Sequence, residues 1–275
     1  MYFACDIGGT QTRIAVSNDC VKFEEPIIKD TPKNPEDGLR LIIDTIKELA
    51  RQTNPSDPKI NGVVIGIAGV LNEQHSFLLK SPNLGSWEMI PIKEKLEKEL
   101  ETKVFVENDT DIVGLGEAIS GAGRGFEICV YITISTGIGG VKIVNGKFEK
   151  NHYGFEPGFQ ILNNKTLENW QDLCSGTAVE KKHGMHPKDV ARTDAWEEVE
   201  QNVAVGLNNS IVHWSPDVVV IGGSMARDFN LDSIKEKVTS LMRIHPTLPE
   251  IRIAELGSIG GIYGGFTFLK QYYNI

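Results

Sequence analysis

The chain has 275 residues, of which 40% are hydrophobic, 24% charged and 28 are glycine, and its formal net charge is −9; this is a globular composition, long enough for two lobes with cores of their own. The acidic balance and the lack of clustered Lys and Arg exclude a general nucleic-acid binder, which needs such clusters to neutralise phosphates. No run approaches the ~18 apolar residues of a membrane span, and the opening MYFACDIGGT lacks the basic and apolar stretches of a secretion signal, so the expected location is the cytoplasm with no membrane partner.

Residues 2–6 read as a short apolar strand that breaks at Gly8-Gly9, and residues 12–17 resume as its hairpin partner. Leu39, Ile42, Ile43, Ile46, Leu49 and Ala50 follow helical spacing after the start signals Asn34, Pro35 and Glu36. Asn54-Pro55 and Asp57-Pro58 end that helix. Residues 63–68 are a β-branched run that predicts a buried strand, closed by Gly69. A charged helix over 92–101 and a strand at Val104-Phe105-Val106 lead into Glu107-Asn108-Asp109, and residues 111–120 continue as a helix. Asn108 and Asp109 therefore fall at a strand-to-helix junction, where polar side chains commonly face a ligand. Strand and helix alternation predicts α/β layers.

The second half begins the same pattern again. Residues 128–135 read as a strand, residues 136–140 as a glycine-rich turn and residues 141–144 as the returning strand. Two such units about half a chain apart predict a duplicated architecture. A helix over 203–214, a strand over 218–221 ending at Gly222-Gly223, and a glycine-bearing terminal helix over 258–273 complete the order. The four cysteines, Cys5, Cys20, Cys129 and Cys174, show no CxxC spacing and are expected to be free, buried thiols.

Several of these residues have the chemistry of a phosphate site. Gly8, Gly9 and Thr10 let a hairpin turn bring backbone N–H groups against phosphate oxygens, and Asp6 just ahead of them suits Mg²⁺ held through water. Ser135, Thr136, Gly137, Gly139 and Gly140 repeat the arrangement, which fits clamps on the two ends of a triphosphate. Taken alone, Asp-x-Gly-Gly-Thr is equally a strand with a tight turn, and the alternative role for Asp109 is a helix N-cap. No GxGxxG opens a helix after a strand, so a dinucleotide site has no support.

Asp6-Ile7-Gly8-Gly9-Thr10, Ser81-Pro82-Asn83-Leu84 with Trp87, Glu107-Asn108-Asp109, Ser135 to Gly140 and Val220-Ile221-Gly222-Gly223 together resemble the ROK family of sugar kinases, in that family's order and over essentially the whole chain. The resemblance implies a two-lobed actin-like ATPase (ribonuclease H-like) α/β fold with a central cleft. One lobe would take residues 1–112 with the terminal helix 262–275, and the other residues 113–261. It implies ATP and Mg²⁺ as cofactors, a homodimer, and transfer of the γ-phosphate to a primary hydroxyl of a hexose such as glucose, mannose or fructose, with an N-acetylhexosamine as the alternative. Asp109 would be the general base; Gly69, Asn83, Asn108, Glu156 and Glu168 would contact sugar, and Gly222 and Gly223 the adenosine side. The bland reading of Glu168 is a solvated carboxylate at a helix start.

The family pattern also breaks in places. Where the family carries Glu-x-Gly-His followed by a zinc-binding cysteine cluster, this chain has Glu156-Pro157-Gly158-Phe159 and a short segment, 160–166, without cysteine. Zinc needs about four N or S ligands at close spacing, so no structural zinc is expected, and His183 and His186 form an unsupported HxxH. Phe159 lacks the hydrogen bond that the family histidine gives the sugar. Gln11 stands where many members have Lys, with Arg13 and Lys142 as the cations that could compensate. A sugar-responsive repressor is disfavoured because the first loop begins at residue 6, leaving no room for a winged helix. A catalytically weak sugar-binding protein is the remaining alternative.

Overall fold

The computed structural model describes residues 1–275. In chain order the elements are β1 (Tyr2–Ile7), β2 (Gln11–Ser17), β3 (Ile27–Asp30), α1 (Pro35–Thr53), β4 (Gly62–Ile67), β5 (Val70–Leu71), β6 (Leu78–Lys80), α2 (Ile92–Leu100), β7 (Val104–Asn108) and α3 (Asp109–Ser120). There follow β8 (Ile128–Ile134), β9 (Ile138–Val144), β10 (Lys147–Phe148), α4 (Trp170–Cys174), α5 (Gly176–His183), α6 (Pro187–Val190), α7 (Trp196–Trp214), β11 (Val218–Gly222), α8 (Leu231–Leu241), β12 (Glu250–Ile253) and α9 (Gly260–Tyr273). They form two compact units, the first from Met1–Ile119, Asn151–Gly154 and Ser258–Ile275, the second from Ser120–Lys150 and Phe155–Gly257.

The first unit is built on a five-stranded sheet in the order β3-β2-β1-β4-β7. The β1–β2 hairpin pairs Tyr2 with Ser17 through to Ile7 with Thr12, while β4 and β7 add in parallel. Every residue of β4 is buried, which is why it reads as a continuous apolar run. On one face α1 and α2 pack Leu39, Ile42, Ile46, Ile92 and Leu96 against Phe3, Ile14, Val63, Ile65 and Trp87. The start signals of α1 act as read: the Asn34 side chain accepts N–H bonds from Glu36 at 2.8 Å and Asp37 at 3.4 Å, a cap worth about 1 kcal/mol.

Helix α9 packs on β1, β2 and β4 and approaches them closely because its inner face is glycine. A Cβ on Gly265 would come within 2.9 Å of the Ala4 Cβ, and one on Gly264 would overlap the Ile112 carbonyl of α3.

The second unit repeats the plan with the order β10-β9-β8-β11-β12, an antiparallel β8–β9 hairpin and parallel β11 and β12. Its core gathers Val130, Ile132, Trp170, Trp196, Val203, Leu207, Val219 and Ile221. Two helices begin earlier than the apolar pattern indicates. Helix α7 starts at Trp196 rather than 203, because its first turns bury only Trp196, Val199 and Glu200 among charged neighbours. Helix α3 starts at Asp109 rather than 111, since Asn108 supplies the cap described below.

Candidate active site

In the first unit, β1, β4 and β7 run parallel with Asp6, Gly66 and Glu107 in register, so Asp6 near the end of β1 and the Asn108-Asp109 pair at the end of β7 lie at the carboxyl ends of strands on either side of β4. This is where open α/β sheets hold ligands. Asp6 is a half-buried carboxyl whose pKa is pushed up to about 7 by desolvation and then by the charge of Asp109, against the opposing pull of Arg13. The Arg13 guanidinium lies 3.6 Å from the Asp6 carboxylate and donates to the Gln11 side chain at 2.8 Å. Its Nε is buried without a partner.

The turn after β1 is closed by a hydrogen bond from Gly8 N–H to the Gln11 carbonyl at 2.9 Å. Thr31 then braces it from outside, donating its hydroxyl to the Gly8 carbonyl at 2.8 Å and its N–H to the Thr10 carbonyl at 2.8 Å. No motif in the sequence singles out Thr31; β3 is an exposed edge strand whose register alone brings it there. Gly9 abuts the proposed sugar contact Asn83, since a Cβ on Gly9 would fall 2.8 Å from the Asn83 Cβ.

At the end of β7 the two neighbouring polar residues divide the work. Asn108 caps α3, its Oδ1 accepting from the N–H groups of Thr110 at 2.8 Å and Asp111 at 3.2 Å, while its Nδ2 donates to the Gly69 carbonyl at 2.9 Å. Asp109 sits in the first turn of the helix and is half-buried. Burial raises its pKa; the hydrogen bond from the Thr110 N–H, 2.8 Å long, partly offsets this.

Gly69 has φ +137, and a Cβ there would come 2.5 Å from the Lys80 carbonyl, so the position requires glycine. Just beyond β6, Ser81 donates its hydroxyl to the Ala68 carbonyl at 2.6 Å and accepts from Leu84 N–H at 3.1 Å, shaping the turn that carries Asn83.

In the second unit the turn between β8 and β9 is closed by Ile134 opposite Ile138, with Ser135 N–H donating to the Gly137 carbonyl at 2.9 Å. The opening of α5 supports it: Gly176 N–H donates to the Ser135 carbonyl at 2.6 Å and Thr177 N–H to the Thr136 carbonyl at 3.4 Å. Gly140 is packed under Ile132 and Pro157, where a Cβ would come within 2.8 Å of each, and Gly139 lies beside it in β9. Gly222 ends β11 against the Tyr131 ring, and Gly223, at φ +91, crosses directly over the Ile134 carbonyl. Ser135 and Ser224 share a hydrogen bond of 3.0 Å. Thr136, Gly137, Gly139, Gly140, Gly222 and Gly223 are thereby gathered around one sheet end.

Glu156 and Glu168 lie on separate segments of this unit. Glu156 is exposed ahead of the short turn Pro157–Phe159, and Phe159 itself is 58% exposed. Glu168 is a half-buried loop residue rather than a helix-start carboxylate, accepting from Asn163 Nδ2 at 3.1 Å and Thr166 Oγ1 at 2.5 Å; the cap of α4 is Asn169. No three His, Cys, Asp or Glu side chains gather around a point that could hold a metal ion. His186 serves as the cap of α6, its Nδ1 accepting from Lys188 N–H at 3.2 Å, and Lys142 pairs with Glu149 at 3.1 Å.

Known proteins resemble the chain along its length. A glucokinase of Thermotoga maritima is 26% identical over 97% of this chain and 96% of its own length. An N-acetyl-D-glucosamine kinase of Histophilus somni is 24% identical over 96% and 97%. The crystal structure of a ROK hexokinase from Thermus thermophilus superposes with a TM-score of 0.86 at 24% identity, covering 99% of each chain, which gives the fold as the mixed α/β, actin-like ATPase type. The ROK family model matches residues 2–272, and the chain belongs to the ROK family.

Proposed function

We propose that the protein is a sugar kinase that transfers the γ-phosphate of ATP to a primary hydroxyl, the 6-hydroxyl of a hexose such as glucose. The observation that carries this reading is Asp109, a half-buried carboxyl with a raised pKa at the end of β7, near enough to Asp6 for its charge to raise the pKa of that carboxyl as well. A carboxylate in such a place is suited to accept the proton of an attacking hydroxyl. The relatives named glucokinase and N-acetyl-D-glucosamine kinase support a sugar phosphotransferase of this kind.

The remaining residues take roles that their surroundings support. Phosphoryl transfer depends mainly on positioning and on charge neutralisation. In the first unit the braced glycine turn offers backbone N–H groups to phosphate oxygens, and Arg13 supplies a cation beside it. In the second unit Thr136, Gly137, Gly139 and Gly140 serve phosphate, and Gly222 and Gly223 allow close approach of adenosine. In the first unit Asn83 and Gly69, and in the second Glu156 and Glu168, offer hydrogen-bonding groups suited to sugar hydroxyls. Asn108 shares in this only indirectly, because its amide already ties Gly69 to the start of α3.

Asp6 fits Mg²⁺ by its chemistry: it is a hard oxygen donor with a second carboxylate near it and excess negative charge, and Mg²⁺ is held by one or two carboxylates plus water and phosphate. When bound, the ion neutralises phosphate charge. An N-acetylhexosamine is the second reading for the acceptor, favoured by the exposed apolar ring of Phe159, which suits an acetyl methyl better than a hydroxyl. A homodimer belongs to the same reading and rests on the family resemblance alone, while a cytoplasmic location rests on the absence of a signal-like or membrane-spanning run in the sequence.

A coupled ADP-release assay over a panel of hexoses and N-acetylhexosamines tests this. Turnover is expected with at least one sugar, and Asp109→Asn is expected to lose about 10²- to 10⁴-fold in kcat while sugar still raises Tm. Thermal stabilisation by sugar without turnover of any sugar would replace the kinase with a sugar-binding protein.

A further inference from the structure

The β5–β6 hairpin begins immediately after Gly69 and ends immediately before Ser81-Pro82-Asn83, so it carries a proposed sugar contact at each end. Its base is held by the Ser81 hydroxyl on the Ala68 carbonyl and by Asn108 on the Gly69 carbonyl. Its tip is an ordered turn in which the Asn72 side chain accepts from Ser76 N–H at 2.8 Å and Phe77 N–H at 3.1 Å, and His75 N–H donates to the Asn72 carbonyl at 2.9 Å.

From that tip His75 reaches β7, its Nδ1 lying 2.8 Å from a carboxylate oxygen of the largely buried Glu107. His75 adopts φ +48, a left-handed conformation that costs a non-glycine residue roughly 1–2 kcal/mol. A strained backbone held in one arrangement needs a compensating contact, and the imidazole–carboxylate pair is the contact present. Glu107 and Asn108, consecutive in β7, thus grip the tip and the base of the same hairpin, directly before Asp109.

We propose that His75, as the imidazolium, is a positioning residue that pins the sugar-binding hairpin to β7 through Glu107, so that sugar affinity weakens when His75 loses its proton. This rests on the sugar-kinase reading for its substrate. The groups facing His75 are Glu107 and the Val106 backbone from β7 and Asp111 from α3; Glu73, on its own turn, faces His152 and Tyr153 instead. The hydrogen bond to Glu107 raises the His75 pKa most, partial burial opposes it, and the charges of Glu107 and Asp111 add to the rise. The charged pair is therefore complete below the raised pKa and is lost as pH climbs through it.

Two measurements test the inference. The first is the NMR titration of the His75 imidazole in the full-length protein, which is expected above the ordinary histidine value and back toward it in Glu107→Gln. The second is the sugar KM of wild type and His75→Gln between pH 6 and 9, using the panel sugar turned over best. The KM ratio of variant to wild type is expected near threefold at the acid end, the size of one partly exposed ion pair, and near one at the alkaline end, with kcat little changed.

A ratio that does not vary with pH, or a parallel fall in kcat, would overturn the proposal, and so would a His75 titration that ignores Glu107→Gln. If no sugar is turned over, the kinase reading fails by that assay. The NMR titration and the pH dependence of sugar-induced Tm shifts then decide the pin: a shift that His75→Gln weakens only at acid pH supports it, and no sugar-induced shift overturns it.

Discussion

Asp6 and Asp109 are acids kept where their charges are costly, and the protein's stability should record it. The Asp6 pKa rises from its ordinary 3.8 to about 7 through burial and the Asp109 charge, and that of Asp109 rises through burial. Between those two values the folded Asp6 binds more proton than the unfolded one, so stability must fall as pH rises from about 4 to about 7 and level off above. Ligand-free protein is therefore expected to melt lower at pH 8 than at pH 5, as followed by circular dichroism. Asp6→Asn should flatten that slope and raise Tm at pH 8 by several degrees, on the order of 2 kcal/mol, while abolishing turnover. A wild-type Tm that climbs steadily from pH 5 to 8 would contradict the account. At this scale the motif pattern picked out Asp6, Gly8, Gly9, Asn83 and Asp109 as candidates. It gave no sign that the Asn108 amide would be tied to Gly69, nor that Thr31 and His75 would brace the neighbouring turn and hairpin, because those are contacts between residues 23 to 39 positions apart.

Among the elements, the crossing of α3 and α9 places the strictest demand on side-chain size. A Cβ on Gly116 would meet the Gly260 carbonyl at 2.6 Å and the Gly264 nitrogen at 2.8 Å, and one on Gly264 would overlap Ile112. Gly264→Ala is expected to destabilise by about 1–3 kcal/mol, read as a lower urea midpoint with unchanged slope. Because α3 opens with Asp109, kcat should fall as well; an unaltered midpoint would show that the two helices separate freely. The two hairpins and α1 were legible because burial on one face writes a period of 2 or 3.6 into the sequence. Helix α8 carries a local signal as well, Asn230 as cap and Ile234 and Val238 at a four-residue spacing. Strand β3 and the hairpin β5–β6 carried none. The first is mostly exposed and the second has strands of two and three residues, too short for any periodicity to show.

At the scale of the molecule, the same strand plan appears in both units, three antiparallel strands followed by two parallel ones. One consequence of the second unit's loop chemistry is testable on the whole protein. With Phe159 exposed and no cysteine in 160–166, metal analysis of purified protein is expected to find no stoichiometric zinc, and a chelator should leave Tm unchanged; one zinc per chain would sink this. The sequence by itself determined the two glycine hairpins, helix α1 and the buried strands, because turn glycines, capping residues and buried β-branched runs are local necessities of the backbone, and through the resemblance of its motifs it determined the family and the candidate base. Only the tertiary structure decided which of the polar residues are occupied and which are free to act. It assigns Asn108 to capping, ties Glu168 to Asn163 and Thr166, sets Asp6 against Arg13, and pairs His75 with Glu107. The two charge pairings depend on strand register and on chain segments brought together by the fold, and the Asn108 and Glu168 bonds on the local path of the backbone, none of which residue types along the chain record.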